Sequence, residues 1–137
     1  MTVRFPDAEP NGLADLVGRL IETNLEAEPD RGALVRDTVV LLTASDAAIE
    51  ATVALSSAGV EVSNGRAGSR PHLVIAADAY DLIELAGAPL RFGFPDVVHP
   101  QGRSVIRRIA TRHVRVSGML RHPIRLSRFT RLLSVVA

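Results

Sequence analysis

IEATVALSSAGVEVSNG, residues 49–65, decides what kind of fold this chain adopts. Ile49, Val53 and Leu55 share one face and Glu50 and Thr52 the other, which is the two-residue repeat of a half-buried strand. Ser57-Ala58-Gly59 supplies a turn, after which Val60 and Val62 alternate with Glu61 and Ser63. Asn64-Gly65 is a second, stronger turn signal. Just upstream, Val39–Thr43 is another short β-rich run. The spacing predicts a three-strand antiparallel meander.

Working outward towards the N-terminus, residues 12–26 carry the helical period. Leu13, Leu16, Val17, Leu20, Ile21 and Leu25 fall within one arc, Asn11 suits the N-cap, and Pro29 ends the segment. Residues 31–36 suit a further short helical turn. Towards the C-terminus, RPHLVIAA (70–77) reads as a strand in which Pro71 is tolerable only near the start or on an edge. DAYDLIELAG (78–87) reads as a helix capped by Asp78 and closed by Gly87. APLRFGFPDVVHPQGR (88–103) follows, with three prolines, two glycines and five large apolar residues. A stretch this long without a regular period is usually functional or disordered, and this one is too apolar to be left in water. A short helix from about Gln101 has Val105, Ile106 and Ile109 on its inner stripe. HVRVSG (113–118) is a strand with Val114 and Val116 inward. Pro123 then opens a terminal helix with Leu126, Phe129, Leu133 and Val136 on one face. Strands and helices alternate only in the second half. The expected class is therefore α+β: one mostly antiparallel sheet with helices gathered on one face, as a single domain over 1–137.

Composition bounds the function. The chain has 137 residues, of which 47% are apolar and 23% charged, as in an ordinary soluble domain. With no cysteine, disulfides, thiolate metal sites and a cysteine nucleophile are all excluded. The start, MTVRFPDAEPNG, is polar and broken by two prolines, unlike a secretory signal, and no apolar run is long enough to span a bilayer. The expectation is a soluble, cytoplasmic protein. Net charge is +1, but residues 1–68 sum to −6 and residues 69–137 to +7, and no acid follows Asp96. Such asymmetry could attract phosphates or anionic lipids, or could simply let the two halves pack side by side.

No catalytic constellation assembles. His72, His99, His113 and His122 have no metal-ligand spacing, and no nucleophile elbow, phosphate loop or dinucleotide motif occurs. Asp78 and Asp81 resemble an acid pair, but helix capping accounts for both. His122 before Pro123 reads as a cap or surface residue. The expectation is no catalytic residue, no metal and no cofactor. Nucleic-acid binding has the charge but lacks the interleaved aromatics, since the chain has one Tyr, four Phe and no Trp.

Three segments in order carry a resemblance: Val60-Glu61-Val62-Ser63-Asn64-Gly65, Leu73-Val74-Ile75-Ala76-Ala77-Asp78-Ala79-Tyr80-Asp81-Leu82, and Val114-Arg115-Val116-Ser117-Gly118. From about residue 38 to 137 the chain resembles the sterol carrier protein type 2 family of lipid-binding domains. Its last third resembles stand-alone bacterial members. The resemblance implies a five-stranded sheet covered on one face by helices, with an apolar tunnel between them. Fatty acyl chains, acyl-CoA or sterols would bind there without chemistry. Two features depart from the family: the end, Val135-Val136-Ala137, lacks the peroxisomal tripeptide of animal members, and the 88–103 loop is longer and richer in proline.

The residues themselves can supply such a pocket. Leu82, Leu85, Leu90, Phe92, Phe94, Val105, Ile106, Ile109, Met119, Leu120, Phe129 and Leu133 are the apolar lining, with Met119 adding adaptability. Equally, they could fill one another's space as solid core. Arg108, Arg112 and Arg121 are placed to meet an anionic head group or, transiently, an anionic membrane. The alternatives are a homo-oligomeric interaction module, such as a homodimer, whose interface is the apolar loop and which holds no ligand, and an arginine-driven binder of nucleic acid or anionic membranes.

Overall fold

The structure, a computed structural model, describes residues 3–66, 70–78, 90–91, 94–95, 114–118 and 120–133. Strand β1 (Val3–Arg4) precedes helix α1 (Gly12–Ala27) and a 3-10 turn (Pro29–Leu34). Strands β2 (Thr38–Ala44), β3 (Ile49–Ser56), β4 (Gly59–Asn64) and β5 (Leu73–Ala77) follow. A two-strand ribbon, β6 (Leu90–Arg91) with β7 (Phe94–Pro95), then precedes β8 (Val114–Ser117) and helix α2 (Pro123–Leu133).

The main sheet runs β1-β4-β3-β2-β5-β8. The meander read from the sequence is present as β2-β3-β4, in antiparallel register with Val40 opposite Val53 and Val53 opposite Val62. The sheet differs from expectation in its strand number. It has six strands, not five, because Val3 and Arg4 pair in parallel with Val60 and Glu61. Two residues just before Phe5-Pro6 carry no readable period; the free edge of β4 recruits their backbone, and Arg4 pairs with Glu61 at 2.6 Å. The sheet's pairings are mostly antiparallel, as expected, with β5 joining β2 in parallel. The segment at 88–103, expected to lack regular structure, contains the small antiparallel ribbon β6–β7, with Arg91 opposite Phe94.

Alternation assigns the sheet's inner face. Val40, Leu42, Val53, Leu55, Val60, Val62, Leu73 and Ile75 are all nearly inaccessible and cluster with the inner faces of both helices. This burial is the main favourable term in the fold, about 25 cal/mol per Å² of apolar surface. In β8, Val116 packs against this cluster while Arg115 is exposed, as the alternation requires.

Helix α1 begins where Asn11 caps it: the Asn11 side chain accepts the Ala14 amide at 2.8 Å. Asn11 also donates to the Glu50 carbonyl and to the Asn64 side chain, which ties the helix start to the β3–β4 hairpin. The apolar stripe lies further round the helix than large residues alone suggest. Ala14 and Gly18 belong to the buried face, and Leu16, about 130° from its centre at 100° per residue, is 45% exposed. Gly18 is required small because the Phe5 ring rests where its Cβ would be.

Helix α2 ends against α1. The buried Asn24 side chain donates to the carbonyls of Leu132 and Leu133 at 3.0 and 3.1 Å, and Arg31 donates to that of Arg131. Side chains from α1 and the 3-10 turn thus serve carbonyls of the last described turn of α2. Asn24→Ala is expected to cost about 1–3 kcal/mol, read as a fall in the urea midpoint with an unchanged slope.

Candidate functional site

Of the apolar residues singled out in the sequence, two are placed clearly in the core. Phe129 has no exposed surface and Leu133 only 6%, and both join Leu126 and Leu132 in the cluster beneath α1. Leu120 goes the other way. It lies in the turn between β8 and α2, where the chain reverses over a few residues, and is 94% exposed rather than inward-facing. Arg121 beside it is also exposed. Leu90 and Phe94 belong to the β6–β7 ribbon. Leu82, Leu85, Phe92, Val105, Ile106, Ile109, Met119, Arg108 and Arg112 lie outside the described residues.

The junction of β2, β5, β8 and α2 is built from polar groups. His72 donates its amide to the Val39 carbonyl at 2.8 Å, and its Nδ1 accepts the Val39 amide at 3.0 Å. An imidazole nitrogen that accepts carries no proton, so the His72 proton sits on Nε2. The His122 ring meets His72 edge-on, 5.3 Å between centroids. Arg125 binds His122 Nδ1 at 3.0 Å, and because a guanidinium only donates, that nitrogen is the acceptor. Gly118 turns between β8 and α2 at φ +88°, with the His72 carbonyl lying where a Cβ would sit. Its carbonyl takes the His122 amide, and the His122 carbonyl takes that of Leu126 in the first turn of α2.

This setting disfavours a charged His122. Loss of water around the ring is the main cause, followed by the positive charge of Arg125 and then by His72 and Arg121, and together they hold its pKa below the ordinary 6.5. The unfolded chain therefore takes up this proton first as the pH falls. Stability that is full above about 6.5 declines between that value and the lowered folded one, then levels off. His122→Gln should flatten that part of a melting-temperature profile taken between about pH 8 and pH 5, relative to the unsubstituted protein.

Beside the junction, an open groove of about 800 Å³ lies between the segment after the 3-10 turn, the end of β3 and α2. Arg36, Asp37, Ser56, Ser57, Arg125 and Arg128 line it. The head-group arginines expected from the sequence did not include Arg36, Arg125 or Arg128. The spacing of Arg125 and Arg128, one helical turn apart, was a usable signal; Arg36 stands in the acidic half and gave none. Among the described residues no group of three His, Asp or Glu is arranged to hold a metal ion, and no helix is long and apolar enough to cross a membrane.

Compared by sequence, the chain matches no family model and no curated protein at a significant level. Compared by fold, it is similar to a solved structure described as the UbiJ-SCP2 ubiquinone synthesis protein, with a TM-score of 0.61 and 16% identity over 88% of this chain and 92% of that one. The fold is SCP2-like. An SCP2-like fold can persist at such low identity because its inner positions demand only apolar side chains of suitable volume, which interchange freely. The resemblance read from the strand and turn segments thus agrees with the SCP2-like arrangement of sheet and helices.

Proposed function

We propose that this protein binds and carries an apolar, lipid-like molecule in the cytoplasm and performs no chemistry on it. The observation supporting this reading is the SCP2-like fold, which extends over 88% of the chain. The cargo would lie between the sheet and the apolar residues of segments 82–94 and 105–109 with Met119, with Phe129 and Leu133 packed as core beside it. Each buried methylene would contribute about 0.8 kcal/mol, enough for a long chain to bind firmly with few hydrogen bonds. Arg108, Arg112 and Arg121 would face an anionic head group or the membrane from which the cargo comes. Fatty acyl chains, acyl-CoA and sterols are the candidate classes. The description of the structural neighbour adds a ubiquinone-like molecule to those worth testing.

Native mass spectrometry of the purified protein, followed by denaturation and identification of extracted lipid, tests the reading. A stoichiometric apolar ligand, or saturable uptake of a fluorescent fatty acid by the delipidated protein, is the expected result. A chain that carries nothing and takes up no such probe overturns it. Self-association is a second reading, favoured by the exposure of Leu120 and Ile124, 94% and 66%. Light scattering behind a sizing column separates a monomeric carrier from a dimer.

A further inference from the structure

Two sets of arginines stand apart among the described residues. Arg4, Arg19, Arg31 and Arg66 each reach a carboxylate, those of Glu61, Asp15, Glu28 and Glu50. Arg36, Arg125 and Arg128, which share the open groove, make no ion pair among the described residues, although Asp37 lines the same groove. Three positive charges thus face one negative charge across a concave surface.

Two of the three guanidinium groups are held in place by other bonds. Arg125 donates through Nε to the Asp37 carbonyl at 3.3 Å and through one terminal nitrogen to His122. Arg36 donates through Nε to the Ala33 carbonyl at 3.3 Å. Each keeps further N–H groups for a ligand. Ser56 Oγ accepts the Ala58 amide, which leaves its hydroxyl proton free to donate. Positioned guanidinium groups beside a hydroxyl donor suit a tetrahedral oxyanion, whose several oxygens can each take a charge-assisted bond.

We propose that the groove formed by Arg36, Arg125, Arg128 and the Ser56–Ser57 turn is a binding site for a phosphate group. The proposal does not depend on the reading of an apolar cargo. The groove, at about 800 Å³, has room for a phosphate borne on a larger molecule. Exposed Ile124, one helical turn from Arg128, makes a phospholipid head group one source and a free phosphate compound the other.

Two probes distinguish these sources: inorganic pyrophosphate followed by calorimetry, and vesicles of phosphatidylcholine with phosphatidic acid followed by co-sedimentation, both near 0.1 M salt, where unspecific surface attraction is partly screened. The Arg36→Gln/Arg128→Gln protein should lose at least about tenfold in affinity for whichever probe binds. An Arg19→Gln/Arg66→Gln protein, equal in charge but altered away from the groove, should keep it. Saturable binding of pyrophosphate identifies a soluble phosphate ligand, and binding of vesicles alone identifies the head group. Equal losses in the two double variants, or no binding of either probe by the unsubstituted protein, overturn the proposal. Should the groove variant fold poorly, nitrogen chemical shifts of the arginine side chains in the unsubstituted protein decide the matter: pyrophosphate must move those of Arg36, Arg125 and Arg128 ahead of Arg19 and Arg66.

Discussion

Replacing Phe129 with alanine is expected to lower the unfolding free energy by about 3–5 kcal/mol. Much of a small domain's total stability, about 5–15 kcal/mol, would then be gone. Phe129 is completely inaccessible and sits among Leu126, Leu132 and Leu133 of α2, against the inner residues of α1 and the sheet. Truncation removes the transfer energy of the ring and leaves a hole that rigid neighbours cannot collapse into. Urea unfolding measures it: the midpoint should fall sharply while the slope stays constant. The size of the loss also bears on the cargo. A loss below about 1 kcal/mol would mean that one side of the ring already borders unfilled space, as a tunnel floor would. A fluorescent fatty acid should then restore stability as it binds.

Gly118→Ala should be nearly as damaging, at about 2–4 kcal/mol, the combined effect of an unfavourable backbone angle and an overpacked contact. At φ +88° an alanine is strained before any neighbour is considered, and its Cβ would be driven into the His72 carbonyl. That carbonyl cannot retreat easily, because His72 is bonded to Val39 through both its amide and its ring. The strain should therefore spread to the His72–His122 contact and through His122 to Arg125. Thermal unfolding measures the stability. Pyrophosphate titration of the folded fraction should show weakened binding, since Arg125 loses part of its support. A melting temperature within about 2 °C of the unsubstituted protein would sink this account, since about 1 kcal/mol shifts a domain of this size by several degrees.

The two residues differ in how far they could be read from the chain alone. Phe129 repeats with Leu126 and Leu133 at helical spacing, so its inward face was legible, though not whether it packs solidly or borders a cavity. Gly118 follows a strand and precedes a turn, which suggests freedom of backbone angle, but nothing in the string reveals the His72 carbonyl at its back.

Local order was set by the sequence. The period of two in residues 49–65, the Asn11 cap, the apolar repeat of α1 and Pro123 at the start of α2 are governed by neighbours a few residues away, and each element formed as these imply. Only the tertiary structure decided the rest: β1 beside β4, β5 beside β2, Leu16 left in water, and Arg36 brought across to Arg125 and Arg128. Edge pairing depends on backbone groups that every residue carries, and the meeting of arginines on distant elements depends on how helices and strands pack. Neither leaves a periodic trace in the order of side chains.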